Sequence, residues 1–180
     1  MKLKKILISK EEIDARIGAL AAQIDHDYKD IKEPLILVGI LKGSFIYMAD
    51  LSRRLHIPHV VDFMAVSSYG HSANATKASG NVRIIMDCRE NQENRDVLIV
   101  EDILDSGHTL DYLIKNFKSR YTNSVKTTVL LKKPAKLSFP VDIDYLGFEI
   151  PDAWVVGYGL DCAEKYRTLP DIWELDPEGV

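Results

Sequence analysis

A chain of 180 residues, 46% of them hydrophobic, holds enough apolar side chains for one compact domain and too few for two full-sized ones. A formal net charge of -4 excludes strong overall attraction to nucleic acid or an anionic membrane, so any anion site has to be local. Cys88 and Cys162 stand singly and read as free thiols, MKLKKILISKEE lacks the apolar core of a secretory signal, and no stretch approaches a membrane span. A reducing, cytoplasmic compartment is expected.

Ser9 followed by Glu12 is a capping box, with Ile8 and Ile13 spaced for a hydrophobic staple. Ile13, Ile17, Leu20, Ala21 and Ile24 recur at helical spacing, which predicts an amphipathic helix to about Tyr28. After Pro34, LILVGI (35–40) is a continuous apolar run of the kind buried on both faces of a parallel sheet. Ser44 is predicted to cap the next helix, with Phe45, Met48, Ala49 and Leu55 on its inward face.

VVDFMAV predicts a strand leading into SSYGHSANATKASGN, a small, polar segment that reads as a mobile loop or a hairpin. VRIIM (82–86) is the returning strand, RENQENRD a polar turn, and VLIVEDI a second buried parallel strand. The following helix carries Leu110, Leu113, Ile114 and Phe117 on one face, VKTTVLL (125–131) is a third β-branched run, and IDYLGF and WVVGYG are shorter strands. Strands alternating with helices imply an α/β fold with an open, mostly parallel sheet flanked by helices. From Pro151 the chain is aromatic and irregular and is predicted to fold over one end of the sheet as a small lobe.

Chemistry concentrates in VLIVEDILDSGHT (97–109), where a buried strand ends in acids and enters a helix through small residues. That places function at the C-terminal edge of the sheet. Asp105, Ser106, Gly107 and Thr109 are short enough to leave the N–H groups of a helix N-terminus open to a phosphate. Acids beside an anion make sense for a ligand that also carries hydroxyls and a metal, as a ribose phosphate does. Glu101 and Asp102 would accept from sugar hydroxyls or reach a hydroxyl-bound Mg²⁺. The segment is neither a Walker A loop nor a Rossmann glycine fingerprint, which disfavours nucleoside triphosphate hydrolysis and dinucleotide redox.

This stretch resembles the phosphoribosyl pyrophosphate motif of type I phosphoribosyltransferases, and within them the hypoxanthine and hypoxanthine-guanine enzymes; the likeness covers nearly the whole chain. It implies the type I phosphoribosyltransferase fold, residues 1–180 forming one domain, with about 151–180 contributing to a hood over a purine site. Residues 101, 102 and 105–109 (Glu101, Asp102, Asp105, Ser106, Gly107, His108, Thr109) become the ribose-phosphate contacts, with Asp105 as the catalytic base or acceptor for the purine proton and His108 without a catalytic part. Lys42 and Gly43, in Leu41-Lys42-Gly43-Ser44, resemble the pyrophosphate loop, in which the peptide before the lysine can be cis, and Arg167 matches a second pyrophosphate contact. Ser68 and Tyr69 match contacts at the start of the family's flexible loop.

Lys133, but not Lys132, matches the lysine that donates to the purine 6-oxo group; by itself a Lys-Lys-Pro would be solvated. Trp154 matches the aromatic that stacks on the base, although a lone tryptophan belongs more often to a core, and Val155 matches a backbone contact to the purine edge. Asp161, with Glu101 and Asp102 directly or through ribose hydroxyls or water, matches the site of Mg²⁺, the implied cofactor. The implied activity is transfer of phosphoribose from phosphoribosyl pyrophosphate to N9 of a 6-oxopurine, by a homodimer or homotetramer with no nucleic-acid or membrane partner. Two alternatives stay open: a xanthine-preferring transferase, and a non-enzymatic nucleotide sensor that binds RNA on the same fold.

Overall fold

The computed structural model describes residues 2–68 and 82–176. The N-terminal apolar run is a strand, β1 (Leu3–Ile8), and the capping box forms directly after it. Glu12 N–H donates to Ser9 Oγ at 3.3 Å, and Ser9 N–H donates to Glu12 Oε2 at 2.8 Å. With its first amides satisfied, α1 (Lys10–Asp27) buries the predicted stripe of Ile13, Ile17, Leu20, Ala21 and Ile24, and Ile8 packs in the same cluster as Ile13.

The large sheet is built from β2 (Leu35–Leu41), β3 (His59–Ser68), β4 (Val82–Met86), β5 (Asp96–Leu104), β6 (Ser124–Lys132) and β7 (Tyr145–Glu149) in the order β4-β3-β2-β5-β6-β7. All neighbours are parallel except the antiparallel edge pair β3 and β4. Two-residue alternation divides β2 and β5 between two cores. Leu35, Leu37, Leu98 and Val100 join α1 on one face, whereas Ile36, Val38, Val97 and Ile99 join Leu110, Leu113 and Phe117 of α3 (His108–Lys118) on the other. Each such side chain, wholly withdrawn from water, contributes about 1.5–3 kcal/mol before entropy is counted.

The helix α2 (Phe45–Ser52) departs from the predicted face. Its buried row runs Ser44, Tyr47, Met48, Leu51 and on to Leu55, while Phe45 is 39% exposed and Ala49 is also exposed. Nor does Ser44 cap through its side chain; it is buried and its hydroxyl donates back to Ile40 O at 2.7 Å. The helical period is therefore set by Ser44 rather than Phe45.

A second, antiparallel sheet has the order β1-β9-β8, from β8 (Val155–Val156) and β9 (Ile172–Leu175). Its central strand is the tail segment IWEL, and Trp173 faces both Ile6 and Val156 in the register. The small lobe predicted from the C-terminal stretch thus recruits the N-terminus as well. Among the described residues no helix is long and apolar enough to cross a membrane, and both cysteines are free thiols.

Candidate active site

Parallel strands end at one edge, and three of them deliver the site. The loop after β2 brings Lys42 and Gly43, the end of β5 brings Glu101, Asp102 and Asp105, and the residue after β6 is Lys133. With Trp154, Val155, Asp161 and Arg167 they line a cavity of about 330 Å³, which Glu101 alone of this set does not reach. The Leu41–Lys42 peptide, whose state the sequence left open, is cis. A smaller cavity of about 90 Å³ adjoins it, lined by Glu101, Asp105, Ser106, Gly107 and Thr109 at the N-terminus of α3. Asp105 lines both.

The phosphate-sized pocket owes its shape to Gly107, whose φ of 90° suits glycine and leaves no room for a side chain. A Cβ there would stand 2.6 Å from Phe139 O. The segment after Lys133 clamps this turn, because the N–H groups of Ser138 and Phe139 both donate to Ser106 O at 3.1 Å. His108 is partly buried, its ring 4.7 Å from that of Phe139, and it lines neither cavity.

Gly43 lets three elements close on one another. A Cβ on Gly43 would lie 1.6 Å from Asp102 Oδ2, and one on Gly159 would lie 1.9 Å from Gly43 O. The hood turn and the loop after β2 are therefore in backbone contact, and the Asp102 carboxylate at the end of β5 packs against the same glycine. Gly159 was not singled out by sequence reasoning; its signal was the G-Y-G spacing of a tight turn.

The two acids at the end of β5 are in an expensive place. Burial, and then the charge of Asp102, push the Glu101 carboxyl well above its usual range, and Glu101 Oε2 is buried without a hydrogen-bond partner among the described residues. Burial raises Asp102 to about 6, against the opposing pull of the Asp102 and Ile103 amides and the Arg167 charge. Such a pair calls for hydroxyl donors or a cation.

Asp161 accepts from Glu164 N–H at 2.8 Å and lies 2.7 Å from Arg167 Nη2. Arg167 also donates to Gly159 O at 2.8 Å, and its Nε is buried without a partner among the described residues. Lys133 is 7% exposed and Val155 8%, while Trp154 is 58% exposed at the cavity rim, so the tryptophan is no core residue. Of the loop and hairpin readings, the antiparallel pairing of Ser67 and Ser68, at the end of β3, with Arg83 and Val82 favours the hairpin, and Tyr69 lies outside the described residues.

A small pocket at a helix N-terminus, joined through one acid to a cavity lined by Lys42, Arg167 and a buried lysine, fits a phosphoribosyltransferase class of site. The model of the phosphoribosyl transferase domain family matches residues 7–163. A Dictyostelium discoideum hypoxanthine-guanine phosphoribosyltransferase is 47% identical over 178 residues, 97% of each chain, and that of Bacillus subtilis is 46% identical over 97% of this chain and 94% of its own. The solved Trypanosoma cruzi hypoxanthine phosphoribosyl transferase superposes with a TM-score of 0.91 at 43% identity, covering 98% of this chain and 93% of that one. This chain belongs to the hypoxanthine-guanine phosphoribosyltransferase family of enzymes.

Proposed function

We propose that the protein transfers the 5-phosphoribosyl group of phosphoribosyl pyrophosphate to N9 of hypoxanthine and guanine, giving IMP or GMP and pyrophosphate in purine salvage. The observation that carries this reading is one continuous site in which Asp105 joins the pocket at the α3 N-terminus to the cavity holding Lys42, Lys133 and Arg167. The relatives' names support neither the xanthine-preferring nor the RNA-binding alternative.

In this reading the N–H groups from Ser106 to Thr109 hold the 5′-phosphate, where the helix dipole favours an anion. Glu101 and Asp102 accept from the ribose hydroxyls, which gives the unpartnered Glu101 oxygen a donor. Lys42, Gly43 and Arg167 offset charge that accumulates on departing pyrophosphate as positive charge develops on the ribose. Asp105 accepts the purine proton, as general base or hydrogen-bond acceptor. Lys133 donates to the 6-oxo group and disfavours a 6-amino group, Trp154 stacks on the base and the Val155 backbone meets its edge.

Glu101, Asp102 and Asp161 suit Mg²⁺ only as partial ligands, because no group of three or more His, Cys, Asp or Glu among the described residues forms a metal cage. Bound with the substrate, the ion would neutralise pyrophosphate charge. Residues 1–180 act as one domain whose hood contains the segment from about 151, and the compartment is cytoplasmic. Assembly into a homodimer or homotetramer is supported by Val61, Ile85 and Met86, exposed apolar residues at the β3–β4 edge. In the Trypanosoma cruzi enzyme the C-terminal region has a role in oligomeric state and activity.

The test is incubation with phosphoribosyl pyrophosphate, Mg²⁺ and, separately, hypoxanthine, guanine, xanthine or adenine, followed by chromatography of the nucleotides. IMP and GMP are expected. Absence of both overturns the reading, and faster XMP formation selects the xanthine alternative.

A further inference from the structure

Glu164 has no part in the roles given above, yet it touches both cations of the pyrophosphate end of the cavity. It lies in a tight turn where Ala163, Glu164 and Tyr166 have φ of 51°, 61° and 74°. The turn is fixed by the Glu164 N–H, which donates to Asp161 Oδ2 at 2.8 Å. From there the carboxylate divides its two oxygens. Oε1 accepts from Lys42 Nζ at 3.1 Å, and Oε2 accepts from Arg167 Nη2 at 3.2 Å.

Those partners come from different parts of the fold, Lys42 from the loop after β2 and Arg167 from the hood. An anion that entered between them would meet the donors that Glu164 now occupies. Arg167 Nη2 also meets Asp161 Oδ1 at 2.7 Å, but pyrophosphate offers more oxygens and more charge to the ammonium and guanidinium than Glu164 does, so it displaces the Glu164 carboxylate. The Glu164 side chain is 66% exposed and has open solvent to move into.

We propose that Glu164 is an internal stand-in for the pyrophosphate group, a positioning residue that keeps Lys42 and Arg167 bridged between turnovers and is exchanged for pyrophosphate on substrate binding. The inference rests on the function proposed above. As pyrophosphate departs, a Glu164 oxygen takes up each cation it releases, alongside Asp161 Oδ1, which lies 2.7 Å from Arg167 Nη2. Affinity for pyrophosphate is lowered and its release eased. Because exposed ion pairs are weak, the effect on affinity is about three- to tenfold.

The experiment compares wild type with Glu164→Gln, measuring binding of inorganic pyrophosphate with Mg²⁺ by calorimetry and its product inhibition against phosphoribosyl pyrophosphate. The variant is expected to bind pyrophosphate about three- to tenfold more tightly and to show a lower KM for phosphoribosyl pyrophosphate, with IMP affinity unchanged. A residue that merely braces Arg167 would give the opposite sign, so unchanged or weaker pyrophosphate binding overturns the inference. Glu164→Asn, which tolerates a positive φ, repeats the test if the glutamine variant folds poorly. Wild-type nucleotide formation separates the two ideas: if it is present and the variants bind pyrophosphate no better, only the stand-in role fails, whereas its absence removes the proposed function as well.

Discussion

Gly43 packs against Asp102 so closely that a methyl group on the glycine would stand 1.6 Å from the carboxylate oxygen. The contact joins the loop carrying Lys42 to the acid at the end of β5, and Gly159 of the hood presses on the same loop at Gly43 O. Gly43→Ala must therefore displace either the carboxylate or the loop. Overpacking of this kind costs about 1–3 kcal/mol of stability, and misplacing reacting groups by an ångström costs about a hundredfold in rate. Melting curves and initial rates of IMP formation check both; a variant with wild-type kcat/KM would show that this contact does not align the site.

Asp105 is exposed and lines both cavities, so its replacement leaves the fold intact. Asp105→Asn is expected to lower kcat by about a hundredfold to ten-thousandfold, the range for loss of a general base. Binding of phosphoribosyl pyrophosphate should change little. Equal losses in turnover and binding would make Asp105 a sugar contact and not a proton acceptor.

The large sheet was legible because LILVGI and VLIVEDI are buried on both faces, and the acids that end the second run marked the edge where chemistry sits. The small sheet was not. β1 shows no clean alternation, exposing Lys4 and Lys5, and its partner lies at the far end of the chain, with Leu3 opposite Leu175. Pairing at that separation leaves no local signal in either strand. Glu164 was equally silent, since a carboxylate between Asp161 and Arg167 acquires its meaning only when the turn folds it back toward Lys42. Ser67 and Ser68 left loop and hairpin both open because small polar residues carry little strand propensity, and pairing with β4 holds them in β3.

Burial of Asp102 has a consequence for stability. Its carboxyl ionises near 3.8 when free in the unfolded chain and at about 6 in the folded protein, and Glu101 shifts the same way. Between these values the folded protein keeps a proton that the unfolded chain has lost, so stability falls as pH rises and the loss is complete above the folded value. Asp102→Asn removes the charge, so in chelator-treated, substrate-free protein it should raise the melting temperature near neutral pH and give little gain below about pH 4. Nucleotide formation should fall at the same time. A gain independent of pH would trace the effect to packing.

Lys132 and Lys133 are neighbours in sequence with opposite fates. Lys132, the last residue of β6, donates to Glu149 Oε1 of β7 at 2.8 Å across a register that pairs the two residues. The next residue along a strand direction faces the other way, and Lys133, its N–H donating to Leu104 O at 3.0 Å, lines the cavity with only 7% of its surface exposed. A purine bearing a 6-oxo group gives that ammonium an acceptor; a 6-amino group does not. Lys133→Met should thus reduce kcat/KM for hypoxanthine and guanine about a hundredfold and erase discrimination against adenine. Lys132→Met removes a partly exposed ion pair and should change stability by no more than about 1 kcal/mol, with the base preference kept. Competition assays with mixed bases compare the two variants directly, and an unchanged preference in Lys133→Met would remove this lysine from purine selection.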